Sequence, residues 1–259
     1  MKPVPGLILL LLLLPWPLGA TPPIPPSEMI TIAPGPFIMG STEQDIQWAA
    51  QTFFSESLDY YLDETPAHTV DLPAYKIDLT EVTVGQYRLY MEQTGAPAPK
   101  FLDDPRFNGN SQPVVGLTWR EAADYCATLS KRLPTEAEWE KAARGGDSRF
   151  YPWGNETDAT RANVRGNKDG YRYTAPVGLD AFEKSPYGVS DMAGNVWEWT
   201  ADWYQPHPGN AHPNDLYGEQ FRVIKGGSWF SNMDLARITV RGKSLPDQRQ
   251  NYIGFRCAK

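Results

Sequence analysis

The residues of this 259-residue chain with the most specific chemistry are two cysteines, Cys126 and Cys257, and three histidines, His68, His207 and His212. Two neighbouring thiolates could bind a metal or carry redox chemistry, whereas two thiols in an oxidising compartment would pair. His207-Pro-Gly-Asn-Ala-His212 lies in a proline-rich loop and lacks the i, i+4 register by which a helix offers two imidazoles to one metal, so the histidines read as surface residues. No glycine-rich phosphate loop, nucleophile elbow or carboxylate pair at telling spacing occurs. The other group able to do chemistry is aromatic and arginine-rich: Trp119, Trp139, Trp153, Trp197, Trp199, Trp203 and Trp229, with Arg132, Arg222, Arg237, Arg241 and Arg256. Such residues could line a ligand or peptide groove by stacking and bidentate contact. They could equally form the interior of a domain short on regular structure, the arginines being satisfied by acids such as Glu136, Glu138 and Asp202.

The compartment bears on the cysteines. Met1 to Ala20 carries a lone Lys2, an apolar run from Leu7 to Leu14, and then Pro15, Leu18, Gly19 and Ala20, the layout of a cleavable secretory signal. The run is well short of the roughly 20 apolar residues a membrane span needs. Export to the periplasm or beyond favours one disulfide between Cys126 and Cys257, worth on the order of 4 kcal/mol in the chain-entropy treatment. A net charge of -7 and a pI near 5.1 argue against nucleic acid or an anionic membrane as partner, and no cluster of Lys or Arg stands out along the chain.

The elements that must position these residues are partly legible. Residues 21–28 are a proline-rich spacer, expected to be exposed, and one domain is expected over 29–259. Met29 to Gly40 alternates apolar residues around Pro34-Gly35, which predicts a short hairpin, and His68 to Asp78 predicts a further strand with a turn. Thr83 can cap a helix over Val84 to Thr94 that Gly95 ends. Thr118 with Glu121 makes a capping box ahead of Ala122, Cys126 and Leu129, and Thr135 with Glu138 opens a helix running to Arg144. Beyond Gly146 the helical period disappears while Gly, Pro, Asn, Asp and Trp become frequent. This is a loop-rich α+β fold, whose loops must be held by aromatic packing, buried ion pairs or metal ions.

The blocks Arg132-Leu-Pro-Thr-Glu-Ala-Glu-Trp-Glu-Lys-Ala-Ala-Arg-Gly-Gly146 and Asp191-Met-Ala-Gly-Asn-Val-Trp-Glu-Trp-Thr-Ala-Asp-Trp-Tyr204, then Lys225-Gly-Gly-Ser-Trp229 and Gly254-Phe-Arg-Cys257, resemble the domain of the formylglycine-generating enzyme, the sulfatase-modifying factor. The likeness runs from about Met29 to Lys259. It implies an irregular α+β domain of C-type-lectin-like architecture and a disulfide between Cys126 and Cys257. It also implies two structural calcium sites built from backbone carbonyls and a few side-chain oxygens: one resembles Asn163, Val164, Asp169 and Tyr171, the other Asp191, Gly194, Val196 and Glu198. The competing reading is that Asp169 and Asp191 cap turns while Glu198 pairs with an arginine.

The family's oxidase chemistry uses two cysteines that bind copper as thiolates. Counted from Lys225-Gly-Gly-Ser228, those positions here are Ser231 and Ala236. A hydroxyl is a poor ligand for Cu(I) and a methyl is none, so copper and cysteine-to-formylglycine conversion are not expected. The related iron-dependent sulfoxide synthases carry three iron-binding histidines on a helical module, and with only His68, His207 and His212 present no such module is expected here. The resemblance therefore implies an exported accessory or binding protein with a protein or peptide partner in the cell envelope. The alternative is a periplasmic oxidoreductase maturing a peptide-derived product such as a siderophore chromophore. A carbohydrate-binding role rests on fold analogy alone.

Overall fold

A computed structural model describes residues 24, 25 and 27–259; the expected signal segment 1–20 and residues 21–23 and 26 of the proline-rich spacer lie outside the described residues. The first two strands, β1 (Met29–Ile32) and β2 (Gly35–Met39), do not fold back on each other. Instead β1 pairs antiparallel with β4 (Tyr75–Asp78), and β2 with β3 (His68–Leu72). Ile32 opposes Tyr75 and Gly35 opposes Leu72, so one register runs across both ribbons. Pro34 and Pro73 fall in the gap between them, where neither can donate to the ladder. The expected hairpin around Pro34-Gly35 is thus corrected: the proline interrupts a long ribbon instead of reversing the chain.

Four helices follow the capping signals. The Thr42–Asp45 box opens α1 (Glu43–Thr52), Thr83–Gln86 opens α2 (Val84–Thr94), Thr118–Glu121 opens α3 (Trp119–Thr128) and Thr135–Glu138 opens α4 (Glu136–Arg144). Gly95 ends α2 in the left-handed region at φ 71°, where a side chain would be strained. The sequence reading anticipated α2, α3 and α4 and omitted α1. Among the described residues no α-helix follows Arg144. A four-stranded sheet of order β7 (Gly242–Ser244), β6 (Arg222–Lys225), β5 (Trp197–Trp203) and β8 (Ile253–Gly254) occupies the C-terminal half, with β5 and β8 parallel.

The main core lies between α2, α3 and this sheet, around Tyr87, Tyr125, Trp199 and Phe255. The disulfide Cys126–Cys257 runs through it, joining α3 to the C-terminal segment with Cα atoms 5.7 Å apart, and both residues are fully buried. Ile24 belongs to the same cluster at 7% exposure, and Ser27 donates to the Asp78 carboxylate at 2.8 Å. The spacer expected to be wholly exposed therefore contributes an apolar anchor, because Ile24 is its one large aliphatic side chain.

Candidate functional site

The segment that carries the thiol positions of the formylglycine-generating enzymes is closed. Ser231 is 5% exposed and precedes the 3-10 turn Met233–Ala236, whose last residue, Ala236, is fully buried. The Ser231 hydroxyl accepts the Ser228 amide at 3.1 Å and lies 3.1 Å from the Ser228 hydroxyl. Gly227, at φ 74°, has no room for a side chain, since a Cβ there would stand 2.9 Å from the Leu235 carbonyl and 3.0 Å from the Ala236 Cα. Ala236 packs with Tyr151 and Ala193. No thiol reaches this place from elsewhere, because both cysteines are consumed by the disulfide. A cleft of about 610 Å³ is lined by Asp234 of this turn together with Tyr60, Tyr61, Asp63, Arg237 and Lys243. Burial raises the Asp63 and Asp234 carboxyls above the ordinary carboxylate range.

Three buried arginines frame the interior. Arg237 grips Glu64, Arg241 grips Glu136 and Arg256 grips Glu198, each through two N–H donors at 2.7 to 2.9 Å. Glu138 accepts from Arg132, as expected, whereas Asp202 accepts the Glu136 amide at 2.6 Å instead of an arginine. Arg222 lies between the rings of Trp119 and Trp203, 3.8 and 3.4 Å from their centroids. The arginine–tryptophan set thus mostly forms structure, and Trp139 and Trp199 are fully buried. Histidine placement differs from expectation. His207 is 5% exposed, with its ring 5.0 Å from that of His68 and its Nε2 3.7 Å from Glu136, while His212 is exposed and takes no part. The burial of His207 follows from residues 62–68 packing against the 207–210 loop, where Asn210 donates to the Leu62 and Thr65 carbonyls, a contact between distant segments that local spacing does not encode.

The calcium-type residues divide into two cases. The Asn163 amide donates to the Tyr173 carbonyl at 2.8 Å, yet its Oδ1 is buried without a donor; Asp169 likewise has a buried Oδ2 without one. A buried oxygen without a donor on each of these two residues is the kind of ligand a hard cation takes, and Val164 and Tyr171 could add main-chain carbonyls, while the other Asp169 oxygen accepts the Tyr171 amide at 3.3 Å. In the second set Asp191 Oδ1 is also orphaned, but both oxygens of Glu198 are occupied, by Arg256 and by the Trp139 indole N–H at 2.9 Å. The arginine reading of Glu198 describes its geometry. The unpartnered oxygen beside Asp191 belongs instead to Glu81, 1% exposed, whose carboxyl is pushed well above the usual range by burial and then by Asp191. Sequence reading missed Glu81, a lone acid between Leu79 and Val82 with no spacing signal. A backbone bridge pairs Asn163 with Gly194, so the two loops abut. Among the described residues no three His, Cys, Asp or Glu side chains converge as an all-side-chain metal centre would require.

A disulfide-closed, loop-rich α+β domain with this motif order defines a sulfatase-modifying-factor type of protein. Residues 19–259 match the family described as the sulfatase-modifying factor enzyme 1-like domain, and the chain belongs to that family. It is 30% identical over 297 residues to the formylglycine-generating enzyme of Bos taurus, covering 91% of this chain and 75% of that one. It is 43% identical over 186 residues to the inactive C-alpha-formylglycine-generating enzyme 2 of the same organism, covering 66% of this chain and 56% of that one. The structure of PvdO from Pseudomonas aeruginosa superposes with a TM-score of 0.73 at 28% identity, covering 90% of this chain and 94% of that one.

Proposed function

We propose that this chain is an exported, calcium-stapled member of the family that has given up thiol–copper oxidation and serves as an accessory or binding protein in the cell envelope. The observation that carries this reading is the chemistry of Ser231 and Ala236, a hydroxyl and a methyl in a closed interior, with no free cysteine to replace them. The likeness to a relative named inactive supports it. A disulfide in the core fits an oxidising compartment, and among the described residues no helix is long and apolar enough to cross a membrane. Calcium bound by Asn163 and Asp169 would supply charge that fixes the 163–171 loop, and no reaction step depends on it.

A second reading, an oxidoreductase maturing a peptide-derived product, is favoured by the cleft beside Asp234, where Tyr60, Asp63 and Lys243 leave polar groups open to a ligand. Metal analysis of protein purified from the periplasm separates the two. Calcium alone is expected; stoichiometric copper or iron would overturn the accessory reading.

A further inference from the structure

Next to the closed segment, side chains from three distant stretches form one continuous surface. The Arg165 amide donates to the Ser231 carbonyl at 2.8 Å, and its guanidinium lies 4.6 Å from the ring centroid of Phe230 while Nε donates to the Phe230 carbonyl at 3.2 Å. Phe230 is 52% exposed. Trp229 packs against Phe230 at 5.4 Å and against Tyr173 at 5.2 Å, and Tyr173 in turn lies 5.3 Å from Arg106 and 5.9 Å from Arg172. Arg106 is shared with Asp104. Arg165, Arg172 and the intervening Lys168 are exposed, and among the described residues none has a carboxylate partner. The nearby Asp169 turns an oxygen into the interior.

The fold thus sets the basic stretch 165–172 beside Arg106 and the rings of Phe230 and Tyr173, in a protein whose net charge is -7. A guanidinium held over a ring keeps its edge donors free for a carboxylate, and the ring supplies apolar area beside it. The overall negative charge repels long polyanions and anionic membranes, while a short segment meets chiefly the local cations within a Debye length. The geometry points to this face, Arg165, Arg172, Phe230 and Trp229 at its centre, as the docking site for an acidic, aromatic-containing peptide segment of a partner protein. This rests on the accessory reading and gives it a partner chemistry.

The test is fluorescence anisotropy at low salt with a fluorescein-labelled peptide of repeated Glu-Tyr pairs, compared with a repeated Lys-Tyr peptide and with vesicles containing phosphatidylserine. The Glu-Tyr peptide is expected to bind, more weakly as salt rises, and Arg165→Glu, Arg172→Glu and Phe230→Ala are each expected to weaken it about tenfold. Melting curves guard against misfolding, and Arg172, exposed beside the Tyr173 ring, keeps the test decisive if Arg165→Glu fails to fold. Equal binding of the Lys-Tyr peptide, unchanged affinity in the folded variants, or capture of vesicles without the peptide would each overturn the assignment. Peptide aldehyde formation by the same preparation would sink the accessory reading instead, so the two failures are distinguishable.

Discussion

Arg237 and Glu64, separated by 173 residues, meet in the interior with guanidinium-to-carboxylate distances of 2.7 and 2.9 Å. Thr239 and Ser41 donate to the same carboxylate at 2.7 and 2.8 Å. The pair ties the 40–67 arm to the residue immediately after Ala236, so the closed segment is held from both sides. Glu64→Gln removes the carboxylate that grips both terminal nitrogens of the buried Arg237 and leaves it only Asp234, 3.2 Å from its Nε, so it is expected to cost about 3 kcal/mol in urea unfolding. Adding Arg237→Met should restore part of that loss. Additive losses would show that the two residues do not act as a pair.

Acid sensitivity follows from the same residue. Burial favours the neutral form of Glu64, but Arg237, Thr239 and Ser41 outweigh it and hold the carboxyl below its ordinary value of 4.5. Glu136 is held well below that value by Arg241, His207 and Lys225 against the same effect of burial. Because these values are lower in the folded state than in the unfolded chain, their stabilisation is complete above about pH 4.5 and is lost as pH falls through the folded values. Burial raises Glu81, Asp63 and Asp234 and so works in the opposite direction, which makes the difference the readout: between about pH 6 and about pH 3 the unfolding free energy of Glu64→Gln should lose less than that of the unsubstituted protein. An identical slope in the variant would contradict this assignment.

Calcium should raise the melting temperature, and chelation should lower it and expose the 163–171 loop to protease. Asp169→Asn removes the charge and Asn163→Ala the other orphaned oxygen, and each is expected to abolish the shift; the calcium-free Asp169→Asn protein should be little changed, while Asn163→Ala also loses the amide bonds to Tyr173 and Asn195. A shift that survives both substitutions would place the ion elsewhere, with the Glu81–Asp191 pair the first location to examine.

The parts of this fold that sequence exposes are those coded within four residues. Thr83, Thr118 and Thr135 each stand three residues before a side chain that completes the cap, and the helices begin there. Thr42 and Asp45 carry the same signal for α1, which the alternating pattern before it obscured. Strand pairing was not legible, because β1 finds its partner in β4, across α1 and β3, instead of in β2. The burial of His207, the orphaned oxygen of Glu81 and the basic face around Phe230 share that cause: each depends on chain segments that meet only in the fold. The assignment of Ser231 and Ala236 rests on counting from the Gly226-Gly227-Ser228 motif, and the structure adds that both are enclosed.

The most direct measurement of the central claim is oxidation of a cysteine-containing sulfatase-type peptide by the purified, copper-loaded mature domain, followed by aldehyde capture and mass spectrometry. With a hydroxyl at 231, a methyl at 236 and both cysteines in one disulfide, aldehyde should not rise above the enzyme-free background. Copper-dependent, enzyme-proportional aldehyde from the unsubstituted protein would contradict the account.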